Sequence, residues 1–254
     1  MKNQCIKFIS KSKTYKNTIY DDKPNEDFFI SDDNNNIYIL LDGVTVDREN
    51  GKYPNPSPAC LASKIFAQKA YQYIKRNINN RNCILLIKES IRYANNAICL
   101  FNKKNTFPFS AGTVGIISII RNMIFYYAYI GDCFGRLIRN NNITVFTEEQ
   151  TLLVKKNKKN LTTYEIRNLI CNNPDHPYKY GVYNGDKRAL DLISCGEIKL
   201  SYSDKIILSS DGCEYVFQEN HPDLNNIFDE NKVIHVNNLD DRTATIIYCA
   251  EPLS

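Results

Sequence analysis

Short apolar runs alternate with polar clusters over much of the chain, a pattern typical of strands joined by tight turns. Residues 26–42, EDFFISDDNNNIYILLD, contain two apolar runs around an Asp/Asn cluster and predict a hairpin. The stretch TVGIISIIRNMIFYYAYIGD, residues 113–132, is almost continuously apolar and predicts two strands that are covered on both faces. Residues 133–147 predict a further hairpin. Three more strands are expected at Ala189–Leu200, Ile206–Ser209 and Thr243–Cys249.

Two segments place their apolar residues at helical spacing. The first follows PNPSP at residues 54–58, which cannot continue a strand, and Ser57 is a suitable helix cap. The second covers about Cys83–Phe101. Strands in two blocks with long helices between them predict an α+β fold, with sheets packed together and flanked by helices. No linker or repeat divides the chain, so a single domain over residues 1–254 is expected.

Two polar helices are expected at Thr147–Asn157 and Thr162–Cys171, near the basic run Lys155–Lys159. We interpret this run as solvated surface, because no aromatic residues are interleaved with it as in a nucleic-acid site. The formal charge of +4 on 254 residues does not favour a nucleic-acid partner either.

Composition narrows the class of protein further. The chain is 43% hydrophobic and 24% charged, as in ordinary globular proteins, and no apolar run is long enough for a membrane span. The first residues lack a long apolar core, so a signal peptide is not expected. The nine cysteines are scattered without a Cys-x-x-Cys pair, which argues against a disulfide framework or a zinc knuckle. These features favour a cytoplasmic protein.

Acidic residues stand at the ends of the predicted strands. They are Glu26, Asp27, Asp42, Asp132, Asp211, Asp240 and Asp241. Any single Asp-Gly is explained as a turn, but the repetition beside apolar strands predicts that the acids meet at one rim. Carboxylates about 4 Å apart repel by roughly 4 kcal/mol per pair at an effective dielectric near 20, so a cation must offset them. With no His or Cys beside them, Mg²⁺ or Mn²⁺ is the natural candidate.

The ordered set of these motifs resembles the metal-dependent protein phosphatase family, the type 2C serine/threonine phosphatases, in a bacterial-like form. The matching pieces are NED at 25–27, LDG at 41–43, SAGTVGIISI at 110–119, AYIGD at 128–132, GVYNG at 181–185, IILSSDG at 206–212 and LDDRTATIIY at 239–248. The resemblance implies an αββα four-layer sandwich, with two central antiparallel sheets and helices on both outer sides. It also implies a flap-like segment at 147–188 that borders the catalytic channel.

The resemblance further implies two Mn²⁺ or Mg²⁺ ions at one end of the sandwich. Carried over by position, Asp42 would bridge them, the carbonyl of Gly43 would bind one, and Asp211 and Asp240 would bind the other. Glu26 would act through a water molecule, and Asp132 would serve a weaker third ion. Asp241 is the alternative to Asp240 if the register shifts by one residue.

The activity implied is hydrolysis of phosphoserine and phosphothreonine in proteins. A water held between two metal ions has its pKa lowered toward neutrality and can attack phosphorus without a protein nucleophile. Asp42 and Asp211 are therefore candidate catalytic residues as well as ligands. A phosphoprotein substrate, a cognate Ser/Thr kinase and a monomeric state are expected, without nucleic acid or membrane as a partner.

One departure concerns the Arg that the family commonly places before the Glu-Asp pair to hold the substrate phosphate. Here the run is YDDKPNED, and Lys23 is the candidate cation, although it lacks the bidentate fork of Arg. Arg48 or Lys52 on the following loop are alternatives. The missing Arg leaves open a catalytically impaired pseudophosphatase that binds a phosphoprotein or kinase. A two-metal nuclease or phosphoesterase of another fold is also open, because an acid cluster alone does not fix the substrate.

Overall fold

Two five-stranded antiparallel sheets form the centre of the fold. The computed structural model describes residues 7–17, 20–45, 51–79, 82–107, 109–218, 224–228 and 240–250. The first sheet has the order β2-β3-β4-β5-β8, and the second has the order β1-β10-β9-β6-β7. The strands are β1 (Lys7–Tyr15), β2 (Phe28–Asp32), β3 (Ile37–Gly43), β4 (Thr113–Arg121), β5 (Ile124–Ile130), β6 (Phe134–Arg139), β7 (Asn142–Val145), β8 (Ser194–Lys199), β9 (Lys205–Ser209) and β10 (Arg242–Ala250).

The most apolar strands lie in the middle of the first sheet. Ile37–Leu41 of β3 and residues 113–120 of β4 are buried at every position, as their continuous apolar pattern predicts for strands covered on both faces. One face of this sheet carries helices, and its other face packs on the second sheet, where β10 contacts β2 and β3. The main core therefore contains residues from both sheets.

The helices α1 (Pro58–Arg76) and α2 (Cys83–Lys104) pack on each other and on the first sheet. The Ser57 side chain accepts a hydrogen bond from the Cys60 amide at 3.1 Å, so the predicted cap is present. A third, short helix, α3 (Leu152–Asn157), lies in the flap-like segment. Within the part of the chain that the structure describes, no helix is long and apolar enough to cross a membrane.

The outer face of the second sheet is covered by 3-10 helices. The segment Asp211–Gln218 packs on β10, and Leu224–Phe228 packs beside it. Together with β9 and β10 these segments enclose a second apolar cluster. The α+β sandwich of two antiparallel sheets with helical layers is confirmed. The described part of this outer layer consists of 3-10 helices and not of long α-helices.

Three local predictions need correction. The strand expected over Ala189–Leu200 begins only at Ser194, because Lys187–Leu192 forms a 3-10 helix capped by the side chain of Asp186. The helix expected over Thr162–Cys171 is a π-helix over Glu165–Ile170. The helix expected over Thr147–Asn157 begins only at Leu152. Strand β1 is rich in Lys and Ser and lacks the apolar pattern of the other strands. It nevertheless pairs with the whole of β10 at the edge of its sheet.

Candidate metal centre

The sheet topology brings the strand-end acids to one rim. Strands β3 and β5 both run antiparallel to β4, so both end at the same rim of the first sheet, where β2 begins. In the second sheet β10 begins where β9 ends, because Ala244 pairs with Ser209. The residues that leave these ends are Asp27, Asp42, Asp132, Asp211 and Asp240. The carboxylate of Asp42 interacts electrostatically with the other four, so the rims of the two sheets meet.

Asp42 lies at the centre of this group. Its backbone oxygen accepts a hydrogen bond from Thr113 Oγ1 at 2.7 Å, and Ser63 Oγ in turn donates to Thr113 Oγ1 at 3.0 Å. Burial, together with the charges of Asp27 and Asp211, raises the pKa of the Asp42 carboxyl well above its usual range. The structure thus fixes the backbone of Asp42 in a place where the negative charge of its side chain is costly without a cation.

The glycines of the Asp-Gly pairs are required by close packing. A Cβ atom at Gly43 would lie 2.7 Å from the backbone oxygen of Glu26. A Cβ atom at Gly212 would overlap the backbone oxygen of Asp241. Backbone segments that carry acidic residues therefore pass directly against these glycines, which explains the repeated motif better than turn formation does.

Asp27 belongs to the group although sequence reasoning favoured its neighbour Glu26 as the ligand. It is 6% exposed, and Ser210 Oγ donates to its Oδ2 at 2.7 Å. Its Oδ1 is buried and has no hydrogen-bond partner among the described residues. Burial, with the charges of Asp241 and Asp211, raises the pKa of Asp27 well above the usual range. Its position just before β2 is the one feature of the sequence that points to this role.

Glu26 is buried behind this layer, with both of its carboxylate oxygens engaged. Ser57 Oγ donates to Oε1 at 2.5 Å, and Thr45 Oγ1 donates to Oε2 at 2.7 Å. Burial raises the pKa of Glu26, and these two donors partly offset the rise. A carboxylate so occupied is better placed to act through a water molecule than to bind an ion directly.

The adjacent residues Asp240 and Asp241 have different environments. The Asp241 carboxylate is 3% exposed and accepts hydrogen bonds from the amides of Asn17 at 2.7 Å and Glu26 at 2.9 Å. The Asp240 side chain is 57% exposed and interacts electrostatically with Asp42 and Asp211. Of the two register alternatives, Asp240 is therefore the residue with a carboxylate available at the rim, and Asp241 supports the backbone behind it.

Lys23 lies between these two acids. Its ammonium is 2.5 Å from Asp240 Oδ1, 3.2 Å from Asp241 Oδ2 and 3.6 Å from Glu26 Oε2, and the side chain is 5% exposed. Burial disfavours its charge, but Asp240 and Asp241 outweigh that effect and raise the pKa of Lys23. The charge of Lys23 is thus directed at carboxylates of the rim.

Asp132 and Asp211 share a different lysine, one that the sequence did not single out. Lys155 Nζ lies 3.0 Å from Asp132 Oδ2 and 3.3 Å from Asp211 Oδ2. Burial and the charge of Asp132 raise the pKa of Asp211 to about 6, against the opposing effect of Lys155. The lysines of the run Lys155–Lys159 are exposed, as expected for a surface run, and Lys155 is 46% exposed. The ammonium of Lys155 is nevertheless directed at the acidic rim.

A cavity of about 450 Å³ lies between the end of α2 and the flap-like segment. Val44 and two arginines, Arg167 and Arg188, are among its lining residues. Arg167 Nη2 donates to the Thr45 oxygen at 2.6 Å, and its guanidinium stacks over Phe109 at 4.6 Å from the ring centre. The flap-like segment therefore contacts the loop that follows Asp42 and Gly43.

The donor set fits a hard divalent cation. Every donor at the rim is oxygen, either a carboxylate or the Gly43 carbonyl, and the unpartnered Asp27 Oδ1 marks a place for a positive charge or a water. Within the described residues, the side chains as they lie do not bring three Asp, Glu, His or Cys groups around one ion position. An ion held jointly by Asp42, Asp211 and Asp240 would therefore require these carboxylates to move closer together on binding.

The remaining candidates from the sequence lie away from the rim or outside the described residues. Lys52 is exposed, and Arg48 lies outside the part of the chain that the structure describes. His176 accepts a hydrogen bond from the Tyr178 amide at 3.0 Å, in a surface turn. His221 and His235 lie outside the described residues.

The fold matches that of solved bacterial serine/threonine phosphatases. The Mycobacterium tuberculosis serine/threonine phosphatase PstP/Ppp superposes with a TM-score of 0.70 at 15% identity, over 97% of this chain and 100% of that chain. The catalytic domain of PstP in complex with two manganese ions gives 0.68 at 14% identity, over 97% and 100%. The S. agalactiae serine/threonine phosphatase gives 0.63 at 17% identity, over 96% and 100%.

No protein-family model matches the chain, and no curated protein matches it. At identities of 14 to 17%, likeness to solved structures establishes the fold alone. The two-sheet sandwich implied by the sequence resemblance is therefore confirmed as the fold of these phosphatases.

Proposed function

We propose that this chain is a type 2C protein serine/threonine phosphatase, which hydrolyses phosphoserine and phosphothreonine with Mn²⁺ or Mg²⁺. One observation carries the proposal: Asp42 and Asp211 come from different sheets and meet at one rim, in the fold of known phosphatases. One structure with this fold, that of the PstP catalytic domain, is in complex with two manganese ions. The proposal takes residues 1–254 as one domain and 147–188 as its flap.

Asp42 would be a ligand of both proposed ions, the Gly43 carbonyl would be a ligand of one of them, and Asp211 and Asp240 would be ligands of the other. Glu26 would contribute through water, since both of its oxygens already accept hydrogen bonds. When bound, such ions lower the pKa of a water molecule toward neutrality and stabilise negative charge on the phosphoryl oxygens.

The chain's own residues hold the carboxylates in place. Ser210 fixes one oxygen of Asp27 and leaves the other free to accept a proton or a hydrogen bond from water. Lys23 is almost completely buried with its ammonium against Asp240, so we assign it the role of orienting Asp240. This arrangement makes Lys23 a positioning residue, and direct contact with the substrate phosphate would require it to leave its carboxylate partners.

The substrate is proposed to be a phosphoprotein, with a cognate Ser/Thr kinase acting in the opposite direction. The cavity beside Val44 and Arg167 offers a place for the peptide that flanks the phosphorylated residue. A cytoplasmic, monomeric enzyme is part of the same proposal.

Phosphate release from a phosphothreonine peptide tests the proposal. We expect turnover with Mn²⁺, none with EDTA, and loss of turnover in Asp211→Asn at unchanged circular dichroism. A folded wild-type protein that binds Mn²⁺ without turnover would instead support the pseudophosphatase. Metal-dependent cleavage of single-stranded DNA without peptide turnover would support a nuclease.

A further inference from the structure

Lys155 brings a positive charge from the flap-like segment to the acidic rim. Its ammonium lies 2.9 Å from Glu149 Oε1, 3.0 Å from Asp132 Oδ2 and 3.3 Å from Asp211 Oδ2. A lysine ammonium has three N–H donors, so three carboxylate oxygens at these distances can use all of them. The side chain is 46% exposed, and its tip is directed inward at the acids.

The backbone that carries Lys155 is clamped to the turn that carries Asp132. The amide of Gln150 donates to the Gly131 oxygen at 3.0 Å, and the Gly131 amide donates to Gln150 Oε1 at 2.9 Å. Thr151 Oγ1 donates to Asp132 Oδ2 at 3.0 Å, and the Lys155 amide closes the first turn of α3 on the Thr151 oxygen. The position of Lys155 is therefore set by a network and not by a free side chain reaching across solvent.

The other lysines of the basic run provide an internal comparison. Lys156, Lys158 and Lys159 are exposed, and none of them forms an ion pair with another described residue. Lys155 differs because it lies one turn after Thr151, on the side of α3 that faces Asp132. The charge of the run alone does not explain the contact.

We propose that the Lys155 ammonium occupies the position that the family resemblance gives to a third divalent ion at Asp132. The inference rests on the proposed metal-dependent function, and it makes the protein a two-ion enzyme whose third cation is its own flap lysine. Because Asp132 and Asp211 are already paired with Lys155, an ion could enter between them only by displacing the ammonium. The same contact ties the flap to Asp211, one of the proposed ligands of the two remaining ions.

Counting bound Mn²⁺ tests this proposal independently of turnover. The electron paramagnetic resonance signal of free aqueous Mn²⁺ gives the number of ions bound as Mn²⁺ is titrated to low millimolar concentration. We expect two ions for the wild type and three for Lys155→Met, which removes the charge and keeps the length of the side chain. The third ion should bind to this variant at Mn²⁺ concentrations at which the wild type holds only two, since three carboxylate partners are released.

Lys156→Met is the matched control, and Lys155→Arg retains the charge; both should bind two ions. Three ions in the wild type, or two in Lys155→Met, would overturn the role of Lys155 while leaving the metal-dependent function in place. If Lys155→Met does not fold, the numbers of Mn²⁺ ions bound by the wild type and by Lys155→Arg still test the proposal. Three bound ions in either protein would overturn it. Absence of Mn²⁺ binding in every variant would overturn the metal-dependent function and this inference with it.

Discussion

Asp240 and Asp241 are adjacent in sequence, yet their truncation should have opposite consequences. The Asp241 carboxylate accepts two hydrogen bonds from backbone amides, those of Asn17 and Glu26, and it is 3% exposed. Asp241→Ala would leave both amides buried without an acceptor. A hydrogen bond to a charged group contributes about 1.5–3 kcal/mol, so the loss of two should be about 3–6 kcal/mol in the free energy of unfolding.

In a chain of 254 residues, 1 kcal/mol shifts the melting temperature by about 2–4 °C. Asp241→Ala should therefore melt about 10 °C below the wild type when both are measured by circular dichroism in EDTA. Asp240→Ala should melt within a few degrees of the wild type, because its carboxylate is 57% exposed and its ion pair with Lys23 is a small contribution. The rise in melting temperature that Mn²⁺ causes should show the opposite pattern. Asp240→Ala should lose most of this rise, and Asp241→Ala should keep it.

A wild-type melting temperature in Asp241→Ala would refute the structural role of its carboxylate. Full stabilisation of Asp240→Ala by Mn²⁺, with none for Asp241→Ala, would show that Asp241 is the ligand. Because the two variants differ by one position and remove the same atoms, each serves as the control for the other.

Three further predictions concern the charges and the packing of the rim. Lys23→Met should lower the free energy of unfolding by about 3–5 kcal/mol at pH 7.5, because it leaves the buried carboxylates of Glu26 and Asp241 without their cation. A variant as stable as the wild type in a urea titration would contradict this. In the metal-free protein, burial raises the pKa of Asp211 to about 6, so the folded state holds this proton more tightly than the unfolded chain does. The contribution of Asp211 to the stability of the metal-free protein must then fall as the pH rises from about 4 to 6. Mn²⁺ needs the deprotonated ligand, so it should raise the melting temperature more at pH 7.5 than at pH 5.5. An equal Mn²⁺ effect at both pH values would count against metal binding by Asp211. Gly43→Ala places a Cβ atom 2.7 Å from the backbone oxygen of Glu26 and should lower the free energy of unfolding by about 1–3 kcal/mol, as measured by thermal denaturation. A variant as stable as the wild type would show that the backbone at this position can shift to make room.

Much of the fold could be predicted because its strands are short, apolar and ended by acids. The pattern around Asp42, Asp132 and Asp211 predicted strand ends, and the topology then places those ends at a single rim. The α1 boundary was predictable from Ser57 and the prolines around it, since the cap and the fixed proline backbone act locally. Local rules suffice where the determining contacts are a few residues apart.

Other features depend on partners that are distant in sequence. Asp241 is distinguished from Asp240 by the amides of Asn17 and Glu26, and the chain reaches Asn17 only through β1, whose polar sequence gave no strong strand signal. Lys155 looks like any lysine in a basic run until the clamp between Gln150 and Gly131 fixes its direction. Neither feature can be deduced from periodicity, because each is decided by tertiary contacts.

Phosphate release by Asp42→Asn is the most direct test of the central proposal, that the strand-end carboxylates form a catalytic metal centre. The substitution keeps the shape of the side chain and removes the charge at the centre of the group. We predict a loss of about 100-fold or more in turnover of a phosphothreonine peptide at saturating Mn²⁺, with unchanged circular dichroism. The exposed Asp191→Asn variant should retain the wild-type rate. A wild-type rate in Asp42→Asn would contradict the metal centre.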